Sequence, residues 1–289
     1  MIPNSRASID WWVILAAVVV VCSSQLAATQ PQQSSRKNPP KKILYFEGSP
    51  RPEMKFIKRA TDAAANLSLV VLQRTADGKY LRFNVDGPHD LANGFPSTRE
   101  ELFKYQGVIL GSAEASLFTA DQHSMLADFV IVRGGTVLAL GGEQSYGEGG
   151  WLDTPLSYLL PIAFDPDRNR QSTRLPVKVS VRPTDIGIDH PTLKIGDAKH
   201  PADAMWQELP PVTIVNTVYP RPGAEILLTG NDRTGREQVV LALQSYGAGR
   251  VVAFTPQDSW AWVMQAKVNS PAHERFWRAL LTWLVDGVS

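Results

Sequence analysis

The amino-acid sequence predicts an α/β fold with a doubly wound, mainly parallel sheet. Short runs of continuous apolar residues alternate with amphipathic helical segments through the first half of the chain. Helices cover both faces of a parallel sheet, and this burial gives its strands continuous apolar sequences. In the second half, recurring prolines and an alternating apolar pattern over residues 165–235 predict an extended, partly antiparallel insertion.

Four strands are predicted in the first half, and each is an apolar run that stops at turn-forming residues. They lie at residues 42–46, 67–72, 107–110 and 136–140. Apolar residues at helical spacing predict helices at 53–65 and 119–133, and the capping-box spacing of residues 97–100 predicts a short helix between them. Residues 73–96 are rich in Gly, Asp, Asn and Pro, so they are predicted to form a long loop.

The second half contributes further predicted strands and a closing helix. The strands lie at residues 177–181, 225–228, 238–243 and 250–254. The glycines of residues 247–249 join the last two strands into a hairpin. Residues 272–285 place Phe276, Leu280 and Leu284 on one helical face, so the chain is predicted to end in a packing helix.

The composition of the 289 residues excludes several classes of protein. A hydrophobic content of 44% is enough to build a core, which excludes a globally disordered chain. The 29 basic and 28 acidic side chains give a net charge of +1, and no basic stripe indicates a nucleic-acid partner. The single cysteine, Cys22, cannot form an intramolecular disulfide, and the five histidines lack metal-binding spacing. We therefore expect no metal and no cofactor.

The amino terminus contains twelve consecutive apolar residues, Trp11–Cys22. This length is typical of a signal-peptide core and short for a membrane span, and Leu26–Ala28 offers a cleavage site with small residues. Residues 1–28 are therefore interpreted as a signal peptide or a membrane anchor, and a buried helix is a third alternative. A lipoprotein signal is excluded, because Val21 stands where a small residue should precede the cysteine.

Residues 29–41 are polar, contain prolines and lack aliphatic side chains, so we interpret them as a solvated linker. The folded domain is predicted over residues 42–289. The expected localisation is periplasmic export or membrane anchoring by residues 11–28. Cations follow the apolar run at positions 36, 37, 41 and 42. In an anchor they favour a cytoplasmic carboxyl side, so the orientation of an anchored form stays open.

Eight residues at the predicted strand ends are candidates for ligand binding. They are Glu47 and Arg51 after the first strand, Ser112 and Glu114 after the third, Gly141, Gly142 and Ser145 after the fourth, and Asp258 after the last. In open α/β sheets, ligands bind where the carboxyl ends of the strands meet. These residues are therefore expected to share one crevice.

Each kind of candidate also has a structural interpretation. The carboxylates could bind a cation or act as acid and base, or they could be solvated loop residues. Arg51 could hold an anionic group, or it could pair with Glu47 or Glu53. Ser145 could act as a nucleophile, but Glu143–Gly147 lacks the first glycine of the G-x-S-x-G motif, which favours an ordinary loop serine.

Five sequence segments resemble those of one protein family, and the four longer ones together are specific. They are residues 47–59 (EGSPRPEMKFIKR), 94–102 (GFPSTREEL), 111–119 (GSAEASLFT), 140–150 (LGGEQSYGEGG) and 249–254 (GRVVAF). These segments resemble the glutamine amidotransferase-like domain, and the resemblance runs from about residue 42 to 286. It implies the flavodoxin-like sheet of class I glutamine amidotransferases. The family is often joined to von Willebrand A-type modules in bacterial membrane proteins, which implies such a protein as a partner.

The resemblance does not extend to the catalytic residues. Class I glutamine amidotransferases use a cysteine at a sharp strand-to-helix turn, activated by a histidine that a glutamate orients. The strand at 136–140 should present the cysteine, but Gly141 and Gly142 follow it. The position expected for the histidine and glutamate reads Pro256–Trp260, PQDSW. The sequence therefore predicts a family member that does not hydrolyse glutamine, and we assign no catalytic residue.

Three functions remain open at this stage. The first is an exported or membrane-tethered module that binds a small ligand or a protein partner at the strand-end crevice. The second is a hydrolase of unknown substrate that works through carboxylates or Ser145. The third is a scaffold that completes a membrane assembly containing a von Willebrand A-type protein.

Overall fold

The structure, a computed structural model, describes residues 39–164, 175–265 and 270–288. The predicted signal peptide or anchor and residues 29–38 of the predicted linker lie outside the described residues. Within the described ranges, no helix has both the length and the apolar composition needed to cross a membrane.

Ten strands form one mixed sheet in the order β3-β2-β1-β4-β5-β12-β11-β10-β7-β8, and β6 and β9 form a separate two-stranded ladder. The strands are β1 (Lys41–Glu47), β2 (Leu67–Ala76), β3 (Lys79–Phe83), β4 (Gly107–Gly111), β5 (Thr136–Leu140), β6 (Ile162–Ala163), β7 (Leu175–Pro183), β8 (Val212–Val215), β9 (Tyr219–Pro220), β10 (Glu225–Asn231), β11 (Glu237–Tyr246) and β12 (Gly249–Phe254). The predicted α/β class is confirmed.

The balance of parallel and antiparallel pairing differs from the prediction. Parallel pairing joins β2, β1, β4, β5 and β12, whereas every other ladder of the large sheet is antiparallel. The sheet is therefore mixed rather than mainly parallel. The physical reason lies in the region predicted as an insertion. Its strands β7, β8 and β10 stay in the large sheet and extend it beyond the hairpin of β11 and β12.

Helices pack on both faces of this sheet. They are α1 (Glu53–Asp62), α2 (Arg99–Leu102), α3 (Ala120–Ile131), α4 (Asp185–Ile188), α5 (Ala202–Glu208), α6 (Ala261–Met264) and α7 (Ala272–Val285), with 3-10 turns at Ala115–Leu117 and Pro191–Leu193. Side chains alternate between the faces along each strand. Ile43 and Tyr45 of β1 join the apolar layer under α1 and α7, and Leu44 and Phe46 join the layer under α2 and α3.

Several predicted elements are confirmed with their bounds. The strand Thr136–Leu140 and the helix Ala272–Val285 begin and end where the sequence predicts. The β11–β12 hairpin also forms, with Tyr246 paired to Gly249. The strand is a short apolar run that ends at glycines, and the helix has apolar residues at helical spacing over fourteen residues.

Other elements differ from their predictions. The predicted loop 73–96 contains the end of β2 and the edge strand β3, in which Lys79, Leu81 and Phe83 are exposed. The predicted insertion contains the short helices α4 and α5. The cap of α2 is one residue later than predicted: the Thr98 side chain accepts from the Glu101 amide, and the Ser97 amide donates to the Glu101 carboxylate.

Candidate functional site

The strand register brings the predicted strand ends together. Glu47 of β1 lies beside Gly111 of β4, Gly111 lies beside Leu140 of β5, and Leu140 lies beside Phe254 of β12. All four strands run parallel, so their carboxyl ends meet at one edge of the sheet. The loops that follow these strands form the candidate site.

A buried ion pair lies at this edge. Arg51 Nε is 3.0 Å from Glu47 Oε2, and both side chains are almost completely buried. The Tyr45 hydroxyl donates to the same carboxylate oxygen, and Arg51 Nη1 donates to the Gly141 carbonyl. Burial raises the pKa of the Glu47 carboxyl above its ordinary value, and the Arg51 guanidinium opposes that shift. Arg51 thus pairs with Glu47, one of the two structural partners considered from the sequence.

Two serines and Arg51 surround Gly142. A Cβ atom on Gly142 would lie 3.1 Å from Ser112 Oγ, 3.2 Å from Ser145 Oγ and 3.3 Å from Arg51 Nη1. Ser112 has a φ of 39°, a left-handed conformation that is uncommon for a residue with a side chain. Glu47, Arg51, Ser112, Gly142 and Ser145 are called the strand-end cluster below.

The strand-end cluster has unused hydrogen-bonding capacity. Among the described residues, Glu47 Oε1, Arg51 Nη2 and Ser145 Oγ are buried and have no hydrogen-bond partner. Buried polar atoms are almost always hydrogen-bonded in native proteins, so three such atoms in one cluster are unusual. Together they offer an acceptor, a donor and a hydroxyl. Ser145 also borders a cavity of about 20 Å³, which has the volume of about one water molecule.

Gly141, the first residue of the turn that should present a catalytic cysteine, has no room for a side chain. A Cβ atom on Gly141 would lie 1.9 Å from the Thr255 carbonyl oxygen, closer than any non-bonded contact allows. The Gly141 amide donates to the Phe254 carbonyl at 2.6 Å. The Gly142 amide donates to Asn216 Oδ1 at 2.9 Å, and Asn216 Nδ2 donates back to the Gly142 carbonyl at 3.1 Å. The backbone of both glycines is thus bonded within the protein.

Two predicted site residues make their hydrogen bonds elsewhere. The Asp258 carboxylate accepts from the Thr213 amide at 2.9 Å, from the Thr213 hydroxyl at 2.6 Å and from the Ile214 amide at 3.3 Å, which fixes strand β8. Glu114 precedes a 3-10 turn and accepts from the Ser116 hydroxyl at 3.2 Å. Both residues follow strands that end at the site edge, but Asp258 bonds to strand β8 and Glu114 bonds within its own turn.

A second polar cluster was not predicted. Ser259 donates to Glu53, and Ser259 Oγ is 3.1 Å from His273 Nε2, to which Trp277 Nε1 donates at 3.0 Å. All four residues are buried. The cluster joins the start of α1, the loop after β12 and the first turns of α7. The sequence gives little sign of it, because Glu53 and Ser259 are 206 residues apart.

Within the part of the chain that the structure describes, no group of three or more His, Cys, Asp or Glu side chains is arranged to hold a metal ion.

The family model GATase1_like, described as "Putative glutamine amidotransferase", matches residues 55–286. The chain belongs to this GATase1-like family. Among curated proteins, none matches this GATase1-like chain.

Two solved structures resemble the GATase1-like chain over most of its length. One is the cytoplasmic protein STM1381 from Salmonella typhimurium LT2, with a TM-score of 0.60, 16% identity, and coverage of 84% of this chain and 99% of that one. The other is the cytoplasmic protein STM3548 from Salmonella typhimurium, with a TM-score of 0.59, 15% identity, and coverage of 84% and 98%. At these identities the likeness shows the fold alone.

Proposed function

We propose that this GATase1-like protein binds a small polar ligand at the strand-end cluster and does not hydrolyse glutamine. The observation that carries the proposal is the set of buried, unpartnered atoms Glu47 Oε1, Arg51 Nη2 and Ser145 Oγ. Leaving such atoms unpaired costs about 1–3 kcal/mol each, and a ligand that pairs them recovers that free energy. The cluster is buried, so the ligand must be small.

The absence of glutamine hydrolysis is argued from Gly141. A nucleophile there would overlap the Thr255 carbonyl oxygen. The neighbouring amide of Gly142, which a developing oxyanion would need as a donor, is already bonded to Asn216. Both observations support a protein that keeps the family fold without the amidotransferase reaction.

The chemistry of the cluster favours a ligand that both donates and accepts hydrogen bonds. Glu47 Oε1 accepts, and Arg51 Nη2 donates. A zwitterion or an amide can satisfy both atoms, whereas a simple anion satisfies Arg51 and is repelled by Glu47. We therefore propose a small zwitterionic or amide-bearing molecule as the ligand class.

The finer fold assignment and the cellular setting belong to the same proposal. The strand order β2-β1-β4-β5-β12 within the parallel part, with apolar layers on both faces, supports a doubly wound, flavodoxin-like unit. The apolar run Trp11–Cys22 supports export or membrane anchoring, and a von Willebrand A-type membrane protein is the proposed protein partner. The amino-terminal sequence of the protein isolated from its cells tests export, because cleavage would remove residues 1–28.

Thermal-shift measurements test the ligand site. The probes are glycine, which donates and accepts, and the simple anions acetate and inorganic phosphate. We expect glycine to raise the Tm and the anions to have little effect. Ser145→Ala should reduce the rise, whereas Asp258→Asn, outside the cluster, should keep it. An equal rise in Tm for the two variants, or no rise in Tm of the unaltered protein with glycine, would contradict the proposal.

Ammonia release from glutamine tests the catalytic part. We expect none above that of heat-denatured protein. Release that disappears in Ser145→Ala would instead indicate a hydrolase that uses this serine.

A further inference from the structure

Asn216 lies beside the strand-end cluster, although it comes from the antiparallel part of the sheet. It follows β8, the edge strand, and its backbone amide donates to the Thr255 carbonyl at 3.2 Å. An isolated bridge between Val215 and Pro256 and the hydrogen bonds of Asp258 hold the segment before it. The chain therefore returns from the sheet edge to the ends of β5 and β12.

The carboxamide of Asn216 bonds to both backbone groups of one residue, Gly142. Its oxygen accepts from the Gly142 amide at 2.9 Å, and its nitrogen donates to the Gly142 carbonyl at 3.1 Å. The side chain is 1% exposed. The amide orientation is fixed, because the reverse orientation would place donor against donor and acceptor against acceptor.

The same carboxamide fills the space beside Gly141. A Cβ atom on Gly141 would lie 2.8 Å from Asn216 Oδ1, in addition to its overlap with the Thr255 carbonyl. Asn216 thus occupies the volume on the side-chain side of the strand-end turn. It also bonds to both the amide and the carbonyl of Gly142.

We propose that Asn216 is a built-in occupant of a carboxamide-sized site on the Gly142 backbone. The antiparallel extension of the sheet supplies this occupant and keeps the turn after β5 closed. Any external molecule reaches the Gly142 amide only after the segment that carries Asn216 moves away. Although Gly142 belongs to the strand-end cluster, this inference does not depend on the ligand proposed there. That ligand pairs side-chain atoms of Glu47, Arg51 and Ser145, whereas Asn216 bonds to the backbone of Gly142.

Chemical rescue of a truncated side chain tests the proposal. Asn216→Ala removes the carboxamide and leaves the Gly142 amide and carbonyl unpaired, so the Tm of the full chain should fall by about 2–8 °C. Acetamide, which carries the missing group, should raise the Tm of this variant by more than that of the unaltered protein. N,N-dimethylacetamide, which cannot donate to the Gly142 carbonyl, should not do so.

Gln238→Ala is the matched control. Gln238 also has a buried carboxamide, whose Nε2 donates to Asp232 Oδ2 at 3.1 Å, but it does not bond to the turn after β5. Acetamide should not rescue it. In ¹⁵N-labelled Asn216→Ala, acetamide should shift the Gly142 amide resonance more than those of glycines remote from the turn, such as Gly230.

Equal effects of the two amides on Asn216→Ala, or equal rescue of Gln238→Ala, would overturn the proposal. If Asn216→Ala does not fold, Asn216→Ser, with its smaller cavity, is measured in the same way. Equal amide effects or equal rescue would say nothing about whether the unaltered protein binds glycine, so failure here is distinct from failure of the proposed function.

Discussion

At the residue scale, the adjacent glycines of the strand-end turn differ sharply in the space around them. Gly141→Ala places a Cβ atom 1.9 Å from the Thr255 backbone oxygen, and backbone cannot move cheaply. We expect this change to lower the free energy of unfolding by about 3 kcal/mol. Gly142→Ala meets side-chain atoms at 3.1–3.3 Å that can shift, and it should cost less than about 1 kcal/mol. Urea denaturation measures the free energy of unfolding of both variants. A smaller decrease for Gly141→Ala than for Gly142→Ala would contradict the close approach of a Gly141 side chain to the Thr255 oxygen.

The buried pair of Glu47 and Arg51 predicts strong coupling between the two side chains. Arg51→Met leaves a carboxylate buried without its cation, and the free energy of unfolding should fall by about 3–5 kcal/mol. Glu47→Gln in the same chain removes that unpaired charge, so the double variant should be more stable than Arg51→Met alone. A double-mutant cycle by urea denaturation measures this coupling, and additive losses would show that the pair contributes little.

The raised pKa of Glu47 predicts a pH dependence of stability. Burial raises the pKa of this carboxyl above 4.5, so the folded protein binds its proton more tightly than the unfolded chain does. As the pH rises from 4.5 through the raised pKa, the contribution of Glu47 to the free energy of unfolding therefore decreases. Glu47→Gln lacks this titration, while Arg51 stays charged throughout. Urea denaturation at several pH values should show the stability of the unaltered protein falling relative to that of Glu47→Gln as the pH rises. A relative increase would contradict a raised pKa of Glu47.

At the element scale, β8 depends on a side chain from a loop 44 or 45 residues later in the sequence. Asp258→Ala removes the acceptor of the Thr213 and Ile214 amides, and the free energy of unfolding should fall by about 2–3 kcal/mol. Amide hydrogen exchange at Thr213 and Ile214 should quicken more than exchange in β5. Glu237→Ala, at an exposed surface pair, is the control and should change neither quantity. Unchanged exchange in β8 would show that Asp258 does not fix this strand.

The elements that the sequence predicts well are those with a strong pattern of their own. Val137–Leu140 is apolar throughout and Ala272–Val285 has a broad apolar face, so their positions can be predicted without knowledge of distant residues. The edge strand β3 was missed because it is short, its apolar and polar residues do not alternate, and turn-forming residues flank it. The short helices α4 and α5 carry too few turns for a period to be recognised.

The candidate site also combines residues whose positions the sequence predicts with residues whose positions it does not. Glu47, Arg51, Ser112, Gly142 and Ser145 could be predicted to meet, because parallel strands place their carboxyl ends at one edge. The roles of Asn216 and His273 could not be predicted, because each depends on a contact between segments far apart in sequence. Asp258 follows a strand that ends at the site edge, yet its carboxylate is used by β8. Proximity to a strand end therefore predicts location better than it predicts bonding partners.

At the scale of the whole molecule, the antiparallel extension and the parallel strands share one apolar core. Trp206 of α5 lies 6.0 Å from the Trp262 ring and 5.9 Å from the Phe276 ring, which belong to the closing part of the chain. Leu227 and Leu228 of β10 are buried in the same layer as Ile43 of β1. The region from β7 to β10 thus has no separate core of its own in the part of the chain that the structure describes.

This sharing predicts that the described domain unfolds as a single cooperative unit. Trp206→Ala leaves a large cavity between the extension and α7, and the free energy of unfolding should fall by about 3–5 kcal/mol. Far-ultraviolet circular dichroism and tryptophan fluorescence should then give the same lowered urea midpoint, because loss of the extension exposes the core that the parallel strands need. Ile186→Ala, at an exposed position of the same extension, should leave the midpoint unchanged. Two separate transitions in Trp206→Ala would instead show that the extension unfolds on its own, and that closure of the strand-end turn by Asn216 can be lost while the parallel strands stay folded.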